Sequence, residues 1–153
     1  MLTDQLMIGI PALIAGSHWT LPPAGLDPAA SPERYLPLLD DADAIFTSPA
    51  GLDAILRLLD ESAAAGAASR VLRVIALGGA PVLPPLVERA MTRFPDARIR
   101  CVYGMSEILP VAIADGVEKL RASDGDVVGV VASSVDARID DGELVLAGPG
   151  LAR

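Results

Sequence analysis

Between residues 44 and 104 the sequence alternates between short apolar runs and longer amphipathic ones, and this alternation constrains the fold most. Three short aliphatic runs have the character of buried strands: residues 44–47, 71–77 and 99–103. Between them, apolar residues recur three and four positions apart at 52–59 and 83–94, which indicates two amphipathic helices, the first of which is expected to end at Gly66. Strands that alternate with helices form a parallel sheet with flanking helices, so we predict an α/β fold.

An aliphatic core agrees with this prediction. Apolar residues make up 52% of the 153 residues, above the ~45–50% that is usual for soluble domains. The aromatic residues are only one Trp, two Tyr and two Phe. Buried parallel strands are rich in Val, Ile and Leu, and a chain this apolar is not expected to be disordered. Its length suits one domain, or one domain and part of another.

The charge pattern and the single cysteine exclude several classes of function. Twenty acidic and twelve basic residues give a net charge of −8 without any run of Lys or Arg. We therefore expect neither nucleic acid nor an anionic membrane surface as a partner. Cys101 alone forms no intrachain disulfide or cysteine-cluster metal site, which favours a reducing, cytoplasmic location. Residues 5–26 are uncharged but interrupted by prolines and lack a basic flank, so we expect neither a membrane span nor a signal peptide.

The N-terminal region is predicted to begin with an apolar helix. Thr3 is a candidate N-cap for a helix over residues 3–15, with Asp4 in its first turn. Because this helix is apolar on nearly every face, it should be covered on most sides. A short strand is expected at 17–21, and a short helix is expected to start at Pro32.

After Gly104 the pattern changes to short elements. We predict a short helix and four strands there, at residues 117–121 and at 111–114, 127–131, 135–139 and 143–146. Asp140, Asp141 and Gly142 form a tight hairpin turn between the last two strands, because Asp and Gly tolerate a positive φ. The chain is thus expected to contain an α/β subdomain, 1–116, and the start of a small β-barrel or meander, 117–153.

Two glycine-bearing turns follow neighbouring strands and are the candidate binding sites, because ligands of an open parallel sheet bind beyond the carboxyl ends of its strands. The first contains Gly78, Gly79, Ala80 and Pro81. Its backbone could approach a flat or anionic ligand, and the next helix offers free amides. Alternatively, the glycines only supply the positive φ of a strand-to-helix turn.

The second turn contains Tyr103, Gly104, Met105, Ser106 and Glu107. An aromatic ring, a hydroxyl and a carboxylate at one strand end would allow stacking on a base, contact with a phosphate and coordination of a metal ion. The alternative is a packed tyrosine and a solvated glutamate. Neither turn alone decides between these interpretations.

Other candidates have simpler interpretations. His18 and Trp19 could line a pocket, but a histidine beside an apolar run is more often structural. Cys101, in the middle of a strand, is expected to be an inert core thiol. Several acids near helix ends should be solvated: Asp40, Asp41, Asp43, Asp60 and Glu61. The sequence contains no P-loop, nucleophile-elbow or His-based triad motif, which argues against P-loop and hydrolase functions.

In order and spacing, three motifs resemble the central part of the adenylate-forming acyl-CoA synthetase superfamily. They are Leu-Gly-Gly-Ala-Pro at 77–81, Tyr-Gly-Met-Ser-Glu at 103–107, and Gly-Glu-Leu at 142–144 with Gly-Pro at 148–149. The stretch 103–116 is most similar to the long-chain acyl ligases that include the olefin-pathway β-lactone synthetases.

The resemblance implies activation of a carboxylate by ATP with Mg²⁺, giving an acyl-adenylate and pyrophosphate. It places Gly78, Gly79, Ala80 and Pro81 along the adenine and acyl pocket, Tyr103 on adenine, Gly104 and Met105 beside it, Ser106 at phosphate, and Glu107 on Mg²⁺. Ser106 stands where the family usually has Thr. The first helix, with His18 and Trp19, falls near the acyl side. The implied substrate is a small acyl compound such as a fatty or β-hydroxy fatty acid, and CoA is a candidate partner.

Several parts of the family's site are missing from this sequence. The upstream loop ending in Pro-Lys-Gly, the downstream Thr-Gly-Asp and the C-terminal domain with its catalytic Lys are not found. We therefore expect a fragment that holds the adenine and metal half of the site and is inactive alone. The alternatives are a non-catalytic module that associates with itself or another chain through exposed apolar surface, and an unrelated doubly wound nucleotide binder.

Overall fold

The structure, a computed structural model, describes residues 1–64, 71–123 and 125–151. Within these ranges the helices and strands, in chain order, are α1 (Leu6–Ile14), α2 (Pro32–Tyr35), a 3-10 helix (Leu36–Leu39), β1 (Ala44–Thr47), α3 (Pro49–Ala64), β2 (Val74–Leu77), α4 (Pro84–Arg93), β3 (Arg98–Met105), β4 (Ile108–Asp115), α5 (Gly116–Arg121), β5 (Val130–Val131), β6 (Asp136–Asp140) and β7 (Glu143–Ala147).

Strands β1 to β5 form one sheet in which the strand order follows the chain. The first three strands, β1, β2 and β3, pair in parallel, which confirms the α/β prediction. β4 then pairs antiparallel with β3, and β5 pairs antiparallel with β4. The sheet is therefore mixed: the three strands that alternate with helices are parallel, as predicted, and the antiparallel strands follow them in the chain. The reason is local: Ser106 and Glu107 join β3 to β4 directly, and a two-residue connection can only form a hairpin.

The main core lies between one face of this sheet and the helices. Strand residues of alternating position point into it, among them Ile45, Ile75, Leu77, Ile99 and Cys101. Helices α3 and α4 contribute Leu52, Ile55, Leu56, Leu59, Val87 and Ala90 to the same cluster. Each fully buried aliphatic side chain of this size stabilises the fold by about 1.5–3 kcal/mol relative to exposure.

The N-terminal region differs from its prediction. The N-cap of α1 is Gln5, without a side-chain cap, while Thr3 Oγ1 accepts a hydrogen bond from Gln5 N at 3.1 Å and Asp4 lies outside the helix. The predicted strand at 17–21 is reduced to a bridge between Thr20 and Leu2. Leu2 also bridges to β1 and is fully buried. This long-range pairing fixes residues 1–3 in an extended form, so the helix starts later.

Helix α1 is exposed, although its apolar sequence predicts cover on most sides. Leu6, Met7 and Ile14 are 60%, 62% and 82% exposed, and Ile10 and Leu13 are about half exposed. Its buried residue is Gly9. Among the described residues, none of the helices combines the length and the apolar character that a membrane span requires.

Most of the remaining elements match their predictions. The short helix at Pro32 passes into the 3-10 helix, which contains Pro37. β2 begins at Val74 rather than 71, and the predicted end of α3 at Gly66 lies outside the described residues. β5 is shorter than predicted and pairs with β4. β6 and β7 form a separate hairpin, whose turn has the predicted positive φ at Asp141 (49°) and Gly142 (85°).

Candidate functional site

A cleft of about 1080 Å³ opens beyond the carboxyl ends of the three parallel strands. Thr47 and Ser48 line it at the end of β1, Gly78 and Gly79 after β2, and residues 104–107 at the end of β3 and in the turn that follows it. This is the location at which open α/β sheets bind ligands. The cleft is therefore the candidate functional site.

The structure brings most of the predicted site residues together in this cleft. Its walls include Gly78, Gly79, Gly104, Met105, Ser106 and Glu107. Ala80 and Pro81 are exposed and lie beyond its walls. Tyr103 is half-buried in β3, opposite Ala112 of β4, and its side chain is not part of the cleft wall. The two glycine turns, which are separated in the sequence by a helix and a strand, thus face one space.

The two glycines of the first turn meet different requirements. Gly79 has a φ of +80°, which side chains rarely adopt, and the space around its Cα is open. A Cβ on Gly78 would lie 3.0 Å from both Phe46 Cζ and the carbonyl oxygen of Val102. Gly78 therefore allows the turn to pack on β1 and β3, and Gly79 allows the chain to reverse into the loop before α4.

At the second turn a β-bulge directs the side chains. The pairing of β3 with β4 shifts between Tyr103 and Met105, and a Cβ on Gly104 would lie 2.5 Å from Leu109 Cδ1. A bulge bends the strand and re-aims the side chains that follow it. Met105, Ser106 and Glu107 line the cleft after this bend.

Several residues of the cleft are not among those predicted from the sequence. Thr47 is 6% exposed, and Ser48 Oγ accepts a hydrogen bond from Gly51 N in the first turn of α3 at 3.1 Å. Both follow the same strand-end rule that singled out the glycine turns, so the rule could have found them. Other wall residues come from the segment just before α1, from its first turn and from the loop that follows the helix: Asp4, Gln5, Leu6, Met7, Leu21, Pro22, Pro23, Ala24, Gly25, Leu26, Asp27 and Pro28.

The charged side chains around the cleft are all acidic. Among the described residues that line it, Asp4, Asp27 and Glu107 carry carboxylates, and none is Lys, Arg or His. Tyr35 also lines it, and burial, assisted by the Asp4 carboxylate, raises the pKa of its hydroxyl to about 12. Tyr35 is therefore neutral at physiological pH. The field of the cleft favours cations over free anions.

Glu107 by itself is an incomplete metal site. The described residues contain no group of three or more His, Cys, Asp or Glu side chains that could hold a metal ion. Mg²⁺, however, is commonly held by one or two carboxylates together with phosphate oxygens of a bound substrate. The exposed Glu107 carboxylate fits that pattern, so a magnesium ion would be held here jointly with a phosphate-bearing ligand.

His18, Trp19 and Cys101 lie outside the cleft. His18 is exposed, and its backbone carbonyl oxygen accepts a hydrogen bond from the N-terminal ammonium at 2.8 Å. Trp19 packs behind α1, against Gly9. Cys101 is 5% exposed, as predicted for a core thiol, and burial raises its pKa. The acids expected to be solvated are exposed, and one of them, Asp60, pairs with Arg89 at 3.4 Å.

Solved structures share this fold. IdnL1 matches with a TM-score of 0.71 and 23% identity over 90% of this chain and 30% of its own. E. coli MenE with a bound phenylether-linked analogue of OSB-AMS matches with a TM-score of 0.64 and 22% identity, over 92% and 26%. A luciferase-like enzyme from the Zophobas morio mealworm matches with a TM-score of 0.66 and 17% identity, over 92% and 35%. The chain thus spans about a quarter to a third of these proteins.

The sequence itself identifies the family. None of the curated proteins compared with the chain matches it significantly. The sequence model of the AMP-binding enzymes, in contrast, matches residues 3–153. Since this match includes both glycine turns and the β6–β7 hairpin, the chain belongs to the family of AMP-binding enzymes.

Proposed function

We propose that the cleft takes part in the ATP-dependent activation of a carboxylic acid. In this reaction a carboxylate oxygen bonds to the α-phosphorus of ATP while the bond from that phosphorus to the bridging oxygen breaks, giving an acyl-adenylate and pyrophosphate. Family membership supports the chemistry. The observation that carries the proposal is the meeting of the Gly78–Gly79 turn and residues 104–107 in one cleft at the strand ends.

The residue roles are part of the same proposal. Gly78, Gly79, Ala80 and Pro81 follow the adenine and acyl groups, and Tyr103 stacks on adenine beside Gly104 and Met105. Ser106 donates a hydrogen bond to phosphate, and Glu107 holds Mg²⁺, which offsets phosphate charge when bound. The open space around Gly79 supports close approach of a ligand to the backbone. Because Tyr103 does not line the cleft, this stacking requires that the adenine extend beyond the cleft wall to reach β3.

The apolar part of the cleft lining supports an apolar acyl group as the substrate. Leu6, Met7, Leu21 and Leu26 line the same cleft as the glycine turns. Binding sites for chain-like ligands are lined mainly by apolar side chains with few polar groups. We therefore propose a fatty or β-hydroxy fatty acid as substrate and CoA as a candidate acceptor. We propose that residues 1–116 form a nucleotide- and acyl-binding subdomain and that residues 117–153 form a partial β-barrel subdomain. We also propose a cytoplasmic location, which the buried free thiol of Cys101 favours.

The charges of the cleft support the proposal that this chain alone is inactive. Negative charge grows on the phosphate in the transition state, and fixed positive groups commonly supply the largest stabilisation. The described residues that line the cleft offer three carboxylates and no basic side chain. We expect no ATP–pyrophosphate exchange when the purified chain is incubated with dodecanoate. Measurable exchange, abolished by Glu107→Gln, would show that the chain is active by itself.

Nucleotide binding tests the site directly. We expect the chain to bind AMP and, more tightly with magnesium present, ATP, as measured by isothermal titration calorimetry. Tyr103→Ala should abolish AMP binding, whereas Glu107→Gln should remove only the effect of magnesium on ATP affinity. Glu88→Gln, an exposed glutamate on α4, is the matched control and should change neither. Failure of the wild-type chain to bind either nucleotide would refute the proposed nucleotide site.

A second candidate function is supported by the exposure of α1. Five large apolar side chains of this helix are between 48% and 82% exposed. Exposed apolar patches of this kind mark protein interfaces. Under this alternative the chain is a non-catalytic module that associates with a second copy through α1.

A further inference from the structure

Trp19 is the only tryptophan of the sequence, and it is not among the residues that line the cleft. Its ring packs so closely on α1 that a Cβ on Gly9 would overlap the ring carbons Cε2, Cδ2 and Cζ2. Its Nε1 donates a hydrogen bond to the carbonyl oxygen of Thr3 at 2.8 Å. One side chain therefore contacts both α1 and the segment that precedes the helix.

This segment is anchored to the sheet, whereas α1 is not. Leu2 and Thr3 are completely buried, and Leu2 N donates to the carbonyl oxygen of Ala44 at 2.8 Å. Trp19 belongs to the strand-like stretch that pairs with residues 1–3, since Thr20 N donates to the carbonyl oxygen of Met1 at 2.9 Å. α1 exposes most of its apolar side chains, and its buried residue is Gly9, the residue that the Trp19 ring contacts.

The first turn of α1 is also a wall of the cleft. Asp4 and Gln5 line the cleft just before the helix, and Leu6 and Met7 line it within the helix. Gly9 lies two residues after Met7, so the Trp19 ring contacts the helix close to the residues that line the cleft. A shift of α1 at Gly9 would carry Leu6 and Met7 away from the glycine turns.

We propose that Trp19 is a positioning residue that holds the first turn of α1 against the cleft and so sets the apolar wall that an acyl chain contacts. Gly9 is its required complement, because any larger residue displaces the indole ring. This inference rests on the proposed function for the identity of the ligand. It assigns Trp19 no contact with that ligand.

The test compares two ligands that are proposed to contact different residues of the site. Dodecanoate and AMP are titrated into the wild-type chain, Trp19→Phe, Trp19→Leu and Gly9→Ala, with the exposed Leu13→Ala of the same helix as control. We expect Trp19→Leu and Gly9→Ala to weaken dodecanoate binding about tenfold or more, since a displaced wall loses its preorganisation, and to leave AMP affinity within about twofold. Trp19→Phe retains a ring on Gly9 and should restore most of the dodecanoate affinity.

Hydrogen exchange supplies a readout that needs no ligand. In Trp19→Leu the amides of residues 6–10 should exchange faster, while those of β1, β2 and β3 keep their protection. Intact protection of β1 to β3 also confirms that the variant is folded. If Gly9→Ala does not fold, the comparison of Trp19→Leu with Trp19→Phe decides.

The outcomes separate the inference from the proposed function. Unchanged dodecanoate affinity in Trp19→Leu, with tight binding by the wild type, overturns the inference and leaves the proposed function standing. An equal loss of AMP affinity also overturns it, because the effect is then general. If the wild type binds no dodecanoate, the acyl part of the proposed function fails, and unchanged exchange at residues 6–10 in Trp19→Leu overturns the inference.

Discussion

Tyr35 connects the main core to the cleft. Its side chain is 2% exposed and belongs to the core cluster, yet it also lines the cleft near Asp4. Burial raises the pKa of its hydroxyl from 10.0 to about 12, and the negative charge of Asp4 acts in the same direction. Removing the proton would leave a buried phenolate beside a carboxylate. The fold therefore depends on a neutral Tyr35.

This dependence predicts a loss of stability at high pH that Tyr35→Phe reduces. The folded pKa lies above the unfolded value, so the contribution is complete below pH 10 and disappears as the pH rises towards 12. Between about pH 9 and pH 11.5, the free energy of unfolding of the wild type should fall by about 2 kcal/mol more than that of Tyr35→Phe. Urea denaturation at each pH measures both. Parallel pH profiles would show that Tyr35 ionises freely in the folded chain.

Two glycines with similar backbone angles predict different costs of substitution. Gly125 and Gly129 have φ values of +70° and +95°, but only Gly129 is crowded, since its Cβ would overlap the carbonyl group of Ile113 in β4. Gly125→Ala should cost about 1–2 kcal/mol, which is the strain of a side chain in this region. Gly129→Ala should cost distinctly more and separate β5 from β4. Denaturant titration compares the free energies of unfolding; equal losses in the two variants would contradict the packing of Gly129 on β4.

At the scale of elements, a buried lysine joins α5 to the segment before β5. Lys119 is 4% exposed, and its ammonium contacts Asp126 and donates to the carbonyl oxygen of Val127 at 3.1 Å. The Asp126 side chain, in contrast, is 57% exposed. Removal of the Asp126 carboxylate would thus leave a buried ammonium, whereas removal of the Lys119 ammonium would leave a largely exposed carboxylate.

This difference predicts an asymmetric double-mutant cycle. Asp126→Ala leaves a buried ammonium without its counter-charge, a change that typically costs ~3–5 kcal/mol, and the exposure of Asp126 places it at the lower end. Lys119→Met leaves a carboxylate that water can reach and should cost about 1 kcal/mol. The double variant should resemble Lys119→Met rather than the sum. Urea denaturation of all four proteins measures the cycle, and additive losses would contradict a direct interaction.

Local hydrophobic periodicity was enough to predict the positions of five elements, because each of them buries one regularly spaced apolar face. These elements are β1, α3, β2, α4 and β3. The direction of β4 could not, because Ser106 and Glu107 form a hairpin turn and the sequence there also suits a ligand-binding loop. The extended form of residues 1–3 depends on the bridge from Leu2 to Ile45, which is a contact with no local signature.

One rule predicted part of the candidate site: ligands of an open parallel sheet bind at the carboxyl ends of its strands. This rule predicted Gly78, Gly79 and residues 104–107, and it applies equally to Thr47 and Ser48. The placement of Gly104 to Glu107 around the cleft depends on the bulge between Tyr103 and Met105, which breaks the alternation of the strand after Tyr103 and has no signature in the sequence. The wall formed by α1 depends on the Trp19–Gly9 contact, a tertiary contact between residues that are ten positions apart.

At the scale of the whole molecule, part of the apolar surplus of the sequence lies on the surface. Exposed large apolar side chains are concentrated on α1 and around β5, including Val130 at 74%. The acidic charge is spread over the rest of the chain, and α1 itself contains no charged residue. The exposed apolar side chains of α1 thus form an uncharged stripe: Leu6, Met7, Ile10, Leu13 and Ile14. Because the chain has a net charge of −8, two opposing effects act on association through this stripe. Burial of the stripe favours association, and charge repulsion opposes it.

The balance of these effects predicts self-association that increases with salt. Salt shortens the Debye length from ~10 Å at 0.1 M to ~3 Å at 1 M, so it weakens the repulsion between two acidic chains and leaves the apolar attraction in place. The wild type should therefore show a concentration-dependent dimer in sedimentation velocity, with a larger dimer fraction at high salt. Ile10→Glu places a charge in the stripe and should shift the population to monomer.

Ile139→Glu is the matched control, because Ile139 is 70% exposed on the β6–β7 hairpin, away from α1. It adds the same charge to the chain, so it should leave dimer formation nearly unchanged if the interface is α1. Equal dissociation by both variants would indicate that added charge alone prevents association. A wild type that stays monomeric at high concentration and high salt would refute α1 as a contact between copies, and the exposed helix would then have to be explained within a single chain.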